Sequence, residues 1–141
     1  MQYGSQQWLN KSLTPDRGSE EASVADSIDT IVRASLDPLV DERVFPDVAP
    51  PKTVRPYITY QGVGGQDETS FDGVNEQQNS RVQVNVWADK RVECTAVMQQ
   101  VRQALTAAPV LGTPIGAPVS GYEEGTHYYG SRLDFSIWFN V

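Results

Sequence analysis

A chain of 141 residues, 39% of them apolar, is long enough to bury the core of one domain, with part of its length left for loops or arms. Eighteen acidic against eleven basic residues leave a formal net charge of −7, which repels phosphate backbones and anionic membranes and argues against a reader of DNA or RNA sequence. Cys94 is the only cysteine, so there is no internal disulfide and no zinc site of the usual cysteine kind, as expected of a protein assembled in a reducing cytosol.

Residues 1–22 read as a flexible N-terminal arm, and 23–141 as the folded domain. The opening MQYGSQQWLNKSL lacks the apolar run of a signal peptide, and no stretch approaches the ~20 apolar residues of a membrane span. Trp8, Leu9 and Leu13 stand out in the arm, and Trp8 is a candidate anchor for a neighbour's groove. Ser23-Val24-Ala25-Asp26 has the form of a capping box. Val24, Ile28, Ile31, Val32 and Leu36 then mark one face of a helix that Pro38 stops. RVFPDVAPPKTVRP reads as a proline-punctuated connection, and YITYQGV (57–63) as a strand rich in β-branched and aromatic residues.

The polar stretch GGQDETSFDGVNEQQNS (64–80) is long for a structureless loop. It predicts a long β-hairpin arm with a turn near Asp72-Gly73 and one large apolar residue, Phe71. In RVQVNVWADKRVECTAVMQQVRQAL (81–105) the apolar period changes from two to between three and four. Val82, Val84 and Val86 alternate with polar residues as in a strand; Cys94, Val97, Met98, Val101 and Leu105 form a helical stripe. VLGTPIGAPVSG reads as an extended, turn-rich connection. In SRLDFSIWFNV (131–141) the residues Leu133, Phe135, Ile137, Phe139 and Val141 mark the clearest strand, with 121–129 able to pair with it as a hairpin. Trp87 and Trp138 both fall in phase with the polar residues of their strands.

This order predicts an α+β fold: an antiparallel sheet of three to four strands with two helices packed on one face, plus the hairpin and N-terminal arms. Trp87 and Trp138 would lie on the outer sheet face, at a subunit interface or under a covering loop such as 108–120. No catalytic, cofactor or metal constellation assembles from the sequence. His127 is the lone histidine, Cys94 sits on an apolar stripe, and the neighbours Glu123 and Glu124 would point to opposite faces of a strand. GVGG (62–65) follows a strand but precedes neither a helix nor a P-loop lysine. Exposed aromatics, arms and proline-rich connections instead suit protein–protein contacts.

RVFPDVAPPKTVRPYITYQ, the acidic excursion after it, SRVQVNVWADKRVECTAVMQQVRQAL and the closing SRLDFSIWF together resemble the tail-completion or tail-terminator proteins of tailed bacteriophages. The resemblance covers residues 24–141. It implies a non-enzymatic virion protein of the tail and neck, assembled in the host cytoplasm. Such a protein forms a homo-hexameric ring that caps the tail tube, ends its polymerisation and joins it to the head. Its expected partners are further copies of itself, the tail tube protein and a neck or head-completion protein. Genomic DNA would pass through the channel without specific binding, and no membrane or cofactor is involved. The interface candidates are then Trp8, Phe71, Trp87 and Trp138, and Asp67, Glu68, Asp72 and Glu76 would face the channel or the tube. Another neck component, such as a head-completion or stopper protein, is the nearest alternative; a small cytosolic enzyme or ligand-binding domain is the alternative of a different kind.

Overall fold

The structure, a computed structural model, describes residues 27–66, 69–70, 73–74 and 77–140. Helix α1, Ile28–Leu36, starts at Ser27, whose Oγ accepts the Thr30 N–H at 3.1 Å. The first cap in the described chain is therefore Ser27; the expected box at 23–26 lies outside the described residues. Asp37–Leu39 form a single 3₁₀ turn with Pro38 inside it, where the proline ring ends the α-helical ladder.

Strand β1 (Val44–Pro46) pairs parallel with β2 (Tyr57–Gly62), the proline-rich 47–56 segment bringing the chain back between them. Strand β5 (Gln77–Ala88) runs antiparallel to β2 and to β7 (Tyr128–Asn140). Helix α2, Arg91–Thr106, follows β5 directly. Strand β6 (Thr113–Glu123) pairs antiparallel with β7, completing a sheet of order β1-β2-β5-β7-β6. The α+β class is as the sequence implies. The sheet has five strands rather than three or four, and β1 makes it mixed rather than antiparallel. The expected hairpin pairing of 121–129 is present at the β6–β7 end; β1 and the rest of β6 are edge segments, which lack the two-residue apolar rhythm that marks an interior strand. The stretch expected as a turn-rich connection is in fact most of β6. Its Pro114 and Pro118 are compatible with pairing on one side only.

The expected long hairpin is broken into two parts. Val63 N–H donates to Arg81 O and Arg81 N–H to Gly64 O, both at 2.8 Å, so the chain stays against β5 a little beyond β2. Gly65 allows this approach, because a Cβ there would stand 2.3 Å from Asn79 O. Thr69–Ser70 (β3) and Gly73–Val74 (β4) then form their own antiparallel ladder.

One face of the large sheet is dry. Ile58, Tyr60, Val82, Val84, Val86, Leu133, Phe135 and Ile137 meet Val32 and Leu36 of α1 and Cys94, Val97, Met98, Val101 and Leu105 of α2. The period-two and helical stripes of the sequence thus close on each other, and hydrophobic burial between them holds the layers together. Tyr60 adds a polar tie, its hydroxyl donating to Asp29 Oδ1 at 2.6 Å and so fixing α1 to β2.

Candidate functional site

Among the described residues no helix packs on the outer face of the sheet, which is largely polar with two tryptophans among its residues. Arg81 Nε donates to Asp134 Oδ2 at 2.8 Å across β5 and β7. Trp87 lies opposite Gly130 of β7. Its indole rests over that glycine: a Cβ at position 130 would be 3.1 Å from Trp87 Cζ3. Trp87 Nε1 donates to Thr59 Oγ1 at 3.2 Å, so the side chain is half-buried and tied within its own subunit. Asn85, Val119, Glu123 and Arg132 complete a shallow cavity of about 210 Å³ beside it.

Trp138 pairs with Asn79, eight residues of β5 away from Trp87, or roughly 26 Å at about 3.3 Å per residue. It is 38% exposed and borders Pro109, Val110 and Leu111 at the end of α2. The two tryptophans therefore belong to opposite ends of the face and not to one patch. No loop over 108–120 covers both, because 113–123 lies in the sheet as β6.

A cluster that sequence reading missed stands at the Trp87 end. Arg55 Nε donates to Asp89 Oδ1 at 2.8 Å and its terminal nitrogen to the Tyr128 hydroxyl at 2.9 Å, while the guanidinium carbon lies 4.5 Å from the Tyr128 ring centroid. Tyr57 packs edge-on against both Phe45 and Tyr128, at 6.4 Å in each case. The only signal for it in the sequence is VRPY beside a strand start, since the partners are distant in the chain.

Cys94 is buried, its Sγ–H directed at Val86 O at 3.3 Å, and burial pushes the thiol up to about 11, away from thiolate chemistry. His127 sits in the exposed β6–β7 turn with Nδ1 2.8 Å from the Tyr122 hydroxyl. Among the described residues no three metal-ligating side chains converge. Of the residues singled out from sequence, Trp8, Phe71, Asp67, Glu68, Asp72 and Glu76 lie outside the described residues.

A family model described as tail completion protein gp17 matches residues 29–140, nearly the whole described fold. The chain belongs to that family. Tail completion proteins of this family are structural proteins of the phage tail, which is where membership places this chain. A chain in the structure of the virion of a native gene transfer agent particle is similar at 17% identity, covering 86% of this chain and 91% of that one with a TM-score of 0.44. No curated protein matches.

Proposed function

We propose that this tail completion protein forms a closed ring, most simply a hexamer, that seats on the end of the tail tube, stops its growth and presents a surface to the neck. The observation that carries this reading is the family match over 29–140. A ring is built from head-to-tail contacts, so each subunit must offer two different patches. Trp138, exposed at one end of the outer sheet face, and Trp87, with the Arg55–Tyr128 cluster at the other, are candidates for the two. In this reading 1–22 is an arm separate from the domain at 23–141, and Trp8 and Phe71 add contacts. Asp67, Glu68, Asp72 and Glu76 face the channel or the tube. An acidic lining there lets genomic DNA slide without adhering. The protein acts by shape and contact alone, without catalysis or a cofactor.

Negative-stain imaging of the purified protein with isolated tail tubes tests this. A ring density at one tube end and tubes of fixed length are expected. Tubes that keep growing in its presence, or a protein bound along their sides, would overturn it.

A further inference from the structure

The surface around Trp138 is open on both sides and sets exposed apolar side chains beside the polar Gln77 and Asn140. One groove of about 270 Å³ runs between Ile31 and Phe139, and another of about 440 Å³ opens beside Leu111, which is itself 67% exposed. Pro109 and Val110 border both. A concave surface that leaves Leu111 and Trp138 open to water, with polar groups beside them, is a candidate docking site.

The chain itself supplies an occupant. Residues 1–26 enter the described fold at Ser27, the cap of α1, and Ile31 on the groove wall is about one helical turn further on. That segment lies outside the family match and carries Trp8, Leu9 and Leu13 among mostly polar neighbours. From Leu13 to Ser27 the backbone spans at most about 46–50 Å when extended, so its reach to a groove next to its own root is ample. Tethering at that distance corresponds to an effective concentration on the order of millimolar. A second copy at micromolar concentration could not compete with it.

We propose that the Trp8–Leu13 segment folds back onto its own subunit and covers the Trp138 groove in the free protein. It keeps those apolar side chains from water until assembly and is independent of whether the assembled form is a ring. The test uses the full chain labelled with 5-fluorotryptophan, whose three fluorine resonances are assigned by single Trp→Phe variants. Trp8→Ser and, separately, Leu13→Ser should each move the Trp138 resonance by more than its linewidth, leave that of Trp87 in place, and do so equally at high and low protein concentration. An unmoved Trp138 resonance in both variants would overturn the proposal. So would equal displacement of Trp87, which signals a general disturbance, or an effect that fades on dilution, which assigns the arm to a neighbouring copy.

Discussion

Trp87 owes its seat to a residue without a side chain. The strand period made it look exposed, and the phase was right: it does lie on the outer face. What the period could not encode is that Gly130, across the ladder, leaves a bare strip of backbone for the indole. Gly130→Ala should lift the ring, costing about 1 kcal/mol in urea unfolding and increasing acrylamide quenching of tryptophan fluorescence. Unchanged quenching would mean the indole does not depend on that gap. Cys94 makes a second residue-scale prediction. Burial pushes its thiol in the folded protein up to about 11, above the ordinary thiol range. A group raised on folding stabilises fully below its unfolded value and progressively less as pH rises towards the folded one. Stability should therefore fall between pH 9 and 11, and the fall should be shallower in Cys94→Ala when the two are compared by urea unfolding across that range.

At the scale of elements, legibility followed burial. The β5 and β7 alternation and the α2 stripe could be read because one side of each is dry and the other wet, and the core contains their apolar residues in the expected phase. β6 before Gly121 was unreadable for the opposite reason. Its residues are almost all exposed, Pro114 and Pro118 mimic a loop, and the pairing slips between Ile115 and Val119 so that the intervening residues bulge. The tryptophan candidates could be placed on a face by period, whereas the Arg55, Asp89 and Tyr128 cluster needs contacts 34 and 73 residues apart in the chain. Leu105, fully buried on the last turn of α2, should cost about 2–5 kcal/mol on replacement by Ala, measured by denaturant unfolding. Ser27→Ala, which removes a single cap bond, should cost only about 1 kcal/mol.

For the molecule as a whole, charge and edges matter most. A net charge of −7 predicts no retardation of duplex DNA in a gel at about 0.1 M salt. A salt-sensitive shift would show a cationic surface that the overall charge conceals. The two margins of the five-stranded sheet have a further consequence. On one side β1 is only three residues long; on the other, the prolines of β6 have no N–H to offer and its bulge bends the margin. Neither margin is a good template for another strand, so copies crowded in an infected cell are poorly equipped to zip into an endless ribbon. Association is left to side chains, which recognise one surface and one angle and can let go of a wrong one. A structural subunit of the phage tail is thereby kept from starting an uncontrolled growth of its own.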